Sequence, residues 1–285
     1  MIISEVQLAR IETLIELRRF KEALPQVTKL LGQDSDAVYP WFLLARIYYE
    51  LDKFEDADKS IRKALSLAPE LPYGHYLFSL ILNSQYYFED EIKAAKEAVR
   101  LEPEDIIFLD RLARAYLQSG ALKPAQTVAK KMIRLDPNST DAHILVADIS
   151  IELQDFKTAK PHILFALNIN PNNPSHHNDL GWVYMEVKDY KKSIDAFFNA
   201  VKINPNEKAF RQNLDTAIDK WLDQNFIKGK RQKALKSLAP EILNYYYFQQ
   251  EQQHWFERLG VYGVAFIWII GLLLLTFLIS LAPNI

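Results

Sequence analysis

Cysteine is absent from this 285-residue chain. Its absence excludes disulfides, cysteine-ligated zinc, iron–sulfur clusters and thiol catalysis. Glycine is scarce, at 8 residues, and no glycine-rich phosphate loop can be assembled from them. Neither G-x-S-x-G nor H-E-x-x-H occurs. The opening stretch MIISEVQLARIETLIEL meets Glu5, Arg10 and Glu12 too early to form a signal-peptide core. The body is therefore expected to stay on the side of the membrane where it was made. What is plentiful is Ala, Leu, Lys and Glu, a balance that favours helices over turn-rich sheets. At 49% hydrophobic and 25% charged residues, the chain has the composition of a folded protein rather than a disordered one.

The net charge of −2 conceals a segregation. Residues 224–240 hold Lys228, Lys230, Arg231, Lys233 and Lys236 and no acid. Residues 241–285 sum to −2, which leaves −5 for residues 1–223. An acidic body, a basic neck and an apolar tail follow one another.

A 34-residue repeat runs through the body. Pro69, Pro103, Pro137, Pro171 and Pro205 stand 34 residues apart, ending the stretches LSLAP, VRLEP, IRLDP, LNINP and VKINP. Phe20, Phe54, Phe88, Leu122, Phe156 and Tyr190 keep the same spacing. So does a mostly small row: Ala23, Ala57, Glu91, Ala125, Ala159 and Ser193. A fourth row is Leu30, Ala64, Ala98, Met132, Ala166 and Ala200. Within one unit Trp41, Leu44, Ala45 and Tyr48 make one helical face; Asp52-Lys53 breaks it; Phe54, Ala57, Ile61, Ala64 and Leu65 make a second. Each unit is thus two helices closed by a proline that cannot continue the second.

These residues carry a family resemblance. Trp41, Leu44, Ala45, Tyr48, Ala57, Ile61 and Pro69 resemble the tetratricopeptide repeat pattern, and so do Leu180, Gly181, Tyr184, Ser193, Phe197 and Pro205. The expected fold is all-α: a helical-repeat solenoid over 1–222 followed by a single transmembrane helix. Its repeats fall at about 4–37, 38–71, 72–105, 106–139, 140–173 and 174–207, with a capping helix at 208–222. The first unit departs from the pattern, with Ser35 in place of the proline and Arg10 at an apolar place, as suits a terminal repeat with a polar outer face. Glu91 departs at the small row. Pro25 and Pro161 predict kinks or late starts in their helices.

The resemblance implies that the first helices of the pairs line a concave binding groove. By register that groove holds Tyr39, Phe42, Arg46 and Tyr49, then Tyr73, Tyr76, Leu80 and Asn83, then Asp110, Arg111 and Arg114. An aromatic trough with three arginines suits an extended or helical peptide carrying acidic groups. The plainer alternative for each ring is packing between repeats. Asp141, Asp148, Asn178, Asp179 and Glu186 make the second half of the groove acidic. The Lys/Asn clamp by which some relatives hold a chaperone's C-terminal carboxylate is replaced by Leu8, Glu12, Leu43, Tyr76 and Leu80. His75, His143 and His177 share the register of Trp41 and read as packing residues, because neighbouring helices lie too far apart to share a zinc ion. No metal, no cofactor, no nucleic-acid partner and no catalytic residue is expected.

The tail is of another kind. Val261–Leu281 is 21 residues without a charge. At 1.5 Å per residue it is roughly 31 Å long, matching a hydrocarbon layer of about 30 Å. Residues 260–282 read as a transmembrane helix resembling that of tail-anchored proteins. Arg258 and the basic linker 223–240 precede the span and no charge follows it, which places the body on the cytoplasmic side. The linker's five basic residues either touch anionic headgroups or form a solvated spacer. The aromatic segment 241–259 reads equally as a helix along the membrane surface or as one packed on a partner subunit. Two functions fit: a membrane-anchored adaptor that recruits partner proteins to the groove or helps assemble a membrane complex, or a permanent structural subunit held by its neck and span.

Overall fold

The computed structural model describes residues 5–227, 238–246 and 248–249. Among them the chain is helical throughout, and it divides into two compact units, Met1–Asn172 and Asn173–Ile285.

The first unit contains five helix pairs. They are α1 (Glu5–Glu16) with α2 (Phe20–Gln33), α3 (Val38–Glu50) with α4 (Phe54–Leu67), and α5 (Pro72–Ser84) with α6 (Phe88–Leu101). Then come α7 (Ile106–Gln118) with α8 (Leu122–Leu135), and α9 (Thr140–Glu152) with α10 (Phe156–Ile169). Each pair fits one 34-residue frame. The pairs close on small residues: Ala45 and Ala57, Ala113 and Ala125, Ala147 and Ala159 are all buried. Without longer side chains at those places the helix backbones can approach closely, and larger residues such as Ile61, Leu109 and Leu145 fill the space around them.

The link inside each pair is a row that the glycine count conceals. Arg18, Asp52, Tyr86, Gly120 and Gln154 all have positive φ, between 56° and 75°, and stand 34 residues apart. After each, the next N–H reaches back five residues, as in Lys53 to the Tyr48 carbonyl at 2.9 Å and Ala121 to the Tyr116 carbonyl at 2.8 Å. This is the left-handed closure that ends many helices. Only Gly120 adopts it freely; the other side chains each cost about 1 kcal/mol. Second helices begin at once afterwards, α10 with the Asp155 carboxylate accepting from the Thr158 N–H.

Pro25 and Pro161 do not delay their helices. α2 and α10 start at Phe20 and Phe156, in register with Phe54 and Phe88, and continue through the proline. Each proline deletes one backbone bond on an exposed face, while Ala23, Val27 and Leu30 in α2, and Ala159, Ile163 and Ala166 in α10, hold the opposite face in the core.

The second unit pairs α11 (Pro174–Glu186) with α12 (Tyr190–Ile203), and adds α13 (Lys208–Ile227). Lys188 repeats the positive-φ closure at 61°. Asn173 and Asp189 cap α11 and α12 through their side chains, and Pro174 occupies the first turn of α11. α13 is longer than the capping helix expected at 208–222. Its apolar face, with Leu214, Ile218, Trp221 and Leu222, joins Phe197 of α12 in one core.

Candidate functional site

The first helices of the first unit present one continuous row of side chains. Tyr39 lies over Phe42, ring centroids 5.7 Å apart, and its hydroxyl donates to the Glu12 carboxylate of α1. Burial, reinforced by Glu12, pushes the Tyr39 phenol up to about 12, with Arg46 pulling the other way. Tyr73 meets Tyr76 and Phe108 edge-on at 6.4 and 5.0 Å, and Phe108 is wholly buried. The alternatives left open for each ring therefore divide. Tyr39 and Tyr73 keep 38% and 46% of their surface in solvent, while Phe42, Tyr49 and Tyr76 are half-buried and pack within or between pairs. Tyr49 turns toward Phe54, at 6.0 Å.

The three arginines do not form the expected cationic grip. Arg111 is buried, with its guanidinium on the fully buried Glu91 carboxylate and on the hydroxyl and carbonyl oxygens of Ser79 at 3.2 and 3.3 Å. It is the counter-charge for Glu91, the acid that interrupts the small row, and is unavailable to a partner. Asn83 belongs to the same cluster, donating to Glu91 at 3.1 Å and to Gln118 at 2.6 Å. Arg114 reaches solvent but is paired with Asp110, one helical turn away, at 2.8 Å. Arg46 alone makes no ion pair among the described residues.

The acid that register assigns to the second half of the groove begins within the first unit itself. Glu12 serves Tyr39, while Asp141 and Asp148 of α9 face Arg114. Burial pushes the Asp148 carboxyl up to about 6, Arg114 opposes this, and Glu152 adds to it. The signal was present in the helix sequences: α1, α3, α5, α7 and α9 contain no lysine, and every lysine of α1–α10 stands on a second helix.

The histidines in register with Trp41 have a structural task. Trp41 Nε1 donates to the Ser35 carbonyl at 2.7 Å, His75 Nε2 lies 2.8 Å from the Pro69 carbonyl, and His143 Nε2 lies 3.1 Å from the Pro137 carbonyl. Arg211 reaches the Pro205 carbonyl in the same way. At these four positions the side chain ties its helix to the turn before it; Leu109, in the same register, packs in the core instead. His143 also stacks on Phe165 and meets His162 Nδ1 at 2.8 Å; burial and this neighbour hold His162 below the usual imidazole value. Among the described residues no group of three or more His, Cys, Asp or Glu side chains is placed to hold a metal ion.

The sequence profile of the tetratricopeptide repeat matches residues 38–71, and a second profile of the same repeat matches residues 177–207. The α3–α4 and α11–α12 pairs are tetratricopeptide repeats, and the other pairs share their 34-residue frame.

Solved structures agree on that fold. PilW, described as a widely conserved type IV pilus biogenesis factor, is 14% identical; the match spans 76% of this chain and 100% of that one, with a TM-score of 0.66. The C-terminal part of a TPR repeat-containing protein from Cytophaga hutchinsonii is 15% identical over 83% of this chain and 98% of that one, at a TM-score of 0.65. YrrB, described as a TPR protein with an unusual peptide-binding site, is 16% identical over 65% and 96%, at 0.56. No curated protein matches this chain in sequence.

Beyond the repeats, the neck does not begin where the composition changes. Leu238 and Ile242 are buried against the α12–α13 core of the TPR fold, with Leu243, Tyr245 and Tyr246 packed beside them. Tyr245 lies close to Asp215 of α13, whose carboxyl burial pushes up to about 6. The start of the 241–259 segment therefore packs on the α12–α13 core. Lys228, Lys230, Arg231, Lys233 and Lys236, and the span 260–282, lie outside the described residues. Among the described residues no helix is long and apolar enough to cross a membrane.

Proposed function

We propose that this chain is a membrane-anchored TPR scaffold that works by binding rather than catalysis. It holds a partner protein on the first-helix face at the cytoplasmic side and so recruits or assembles a membrane complex. The observation that carries this reading is the face itself, where exposed Tyr39, Tyr73 and Ile107 lie among ionised side chains. Solenoid repeats offer such extended surfaces to partners. The likeness in fold to a TPR protein with a peptide-binding site and to a pilus biogenesis factor supports the reading. The anchor rests on the uncharged run 261–281.

The test is crosslinking in intact cells, purification in detergent and mass spectrometry, comparing the natural chain with a Tyr39→Ala, Tyr73→Ala variant. Sodium carbonate extraction of membranes from the same cells checks the anchor. The adaptor reading expects one dominant partner that the variant loses, and a chain that resists extraction. Partners that remain bound to the variant would instead indicate a permanent subunit held by its neck and span. Extraction into the soluble fraction would remove the anchor.

A further inference from the structure

We propose that the segment bound on the first-helix face of the first unit is basic: a stretch of polypeptide in which lysines or arginines alternate with apolar side chains. This rests on the reading of that face as the partner-binding site, and it reverses the acidic partner that three free arginines would have implied.

The charges decide it. Of the arginines that register brings to the face, Arg111 is consumed by Glu91 inside the fold and Arg114 is held by Asp110. What remains is Arg46 against Glu12, Asp141, Asp148 and Glu152. Among the second helices, α8 and α10 carry the reverse sign, with five lysines and one arginine between them and no acid. An acidic segment approaching this unit would be drawn to α8 and α10, and a basic one to the first helices α1, α3, α5, α7 and α9.

The exposed surface fits the same partner. Tyr39 and Tyr73 offer ring faces on which an ammonium or guanidinium can rest, and Ile107, 50% exposed, offers apolar area between them. Asp141 is exposed and suits a bidentate contact with a guanidinium. Asp148 lies deeper, in surroundings that disfavour its charge, so an arriving cation would relieve it.

The test uses the full chain in detergent micelles, panned against a random-peptide library. Enriched peptides are synthesised and their affinities measured by fluorescence anisotropy. Four proteins are compared: the natural chain, Asp141→Asn with Asp148→Asn, Tyr73→Ala, and Lys130→Gln with Lys131→Gln on α8. Helical circular dichroism confirms that each is folded. Peptides of net positive charge are expected, with affinity lowered about tenfold or more by the aspartate changes, lowered further by salt, and unmoved by the lysine changes. Acidic peptides that Tyr73→Ala releases would overturn the basic partner and leave the face in place. Basic peptides indifferent to both the aspartate and Tyr73 changes would overturn the face and the proposal with it. No enrichment would overturn both.

Discussion

The third and the sixth repeats cross their two helices at the same point in the frame and solve that crossing in opposite ways. In three other repeats both of these register positions are buried alanines: 45 and 57, 113 and 125, 147 and 159. The third repeat places Ser79 and Glu91 there, wholly buried, and brings in Arg111 from the next repeat to neutralise the acid. The sixth places Gly181 and Ser193 there, with the Ser193 hydroxyl donating to the Gly181 carbonyl at 2.8 Å, and uses the space left by the absent Cβ for the Phe197 ring. One crossing is closed by charge and hydrogen bonds, the other by shape. A repeat frame therefore fixes where helices meet but not what holds them there. A substitution to alanine at one register position should have consequences that depend on what it strands.

The largest effect is expected at the third repeat. Glu91→Ala leaves the Arg111 guanidinium buried without its counter-charge, which should cost about 3–5 kcal/mol. Urea denaturation followed by helical circular dichroism measures it. Leu43, Leu77 and Leu145 occupy the register of Arg111 in other repeats, so Glu91→Ala with Arg111→Leu should recover most or all of the loss. A double variant as unstable as the single one would show that the ion pair is not what closes this crossing.

That pairing shows how far the sequence could be read. The prolines and small residues, 34 apart, make the repeat legible, because periodic burial leaves periodic residues. Glu91 was visible as an interruption of the small row. Its partner was visible too, as an arginine interrupting a row of leucines, but only to a reading that set the rows side by side. Read by register alone, Arg111 seemed a groove residue. The turn row of Arg18, Asp52, Tyr86, Gly120 and Gln154 is hard to see, because glycine is the usual sign of a left-handed residue and only Gly120 supplies it. The packing of Leu238 and Ile242 was hidden for another reason: a short apolar stretch beside a basic run looks like a linker until its contacts are known.

At the sixth repeat, Gly181→Ala tests closure by shape. A Cβ there would lie 2.5 Å from Phe197 Cδ1 and 2.6 Å from Cε1, atoms of a rigid ring with no free end to swing away. The loss should be about 1–3 kcal/mol. Ile61 and Ile163 hold the register of Phe197 elsewhere, so adding Phe197→Ile should return part of it. An alanine accommodated without loss would mean that the ring and the backbone can separate, and that shape does not fix this crossing.

A smaller effect is expected where a half-buried acid has neither solution. Asp148 has no counter-charge as close as that of Glu91, and burial raises its carboxyl from the ordinary 3.8 to about 6. Between those values the folded protein keeps a proton that the unfolded chain releases. Its contribution is most favourable below about pH 4 and declines as pH rises toward 6. At pH 7 Asp148→Asn should therefore stabilise, by about 1 kcal/mol once solvent screening of this part-exposed group is allowed for. The gain should vanish near pH 4. Denaturation midpoints at the two pH values decide it, and an equal effect at both would remove the linkage.

The smallest effect, Ser193→Ala, completes the comparison because it is the same kind of change, at the same register position, as Glu91→Ala. It deletes one hydrogen bond to a carbonyl in the middle of α11, where the following turn of helix supplies its own donor. No charge and no polar group is left stranded, and alanine is the residue that this row carries in four repeats. The loss should be about 0.5–1 kcal/mol, several-fold below that at Glu91. Measured in one denaturation series, the ratio of the two separates the worth of a contact from the cost of abandoning a partner. Equal losses would mean that both crossings simply reject a smaller side chain, and that the charge on Arg111 has no part in the difference.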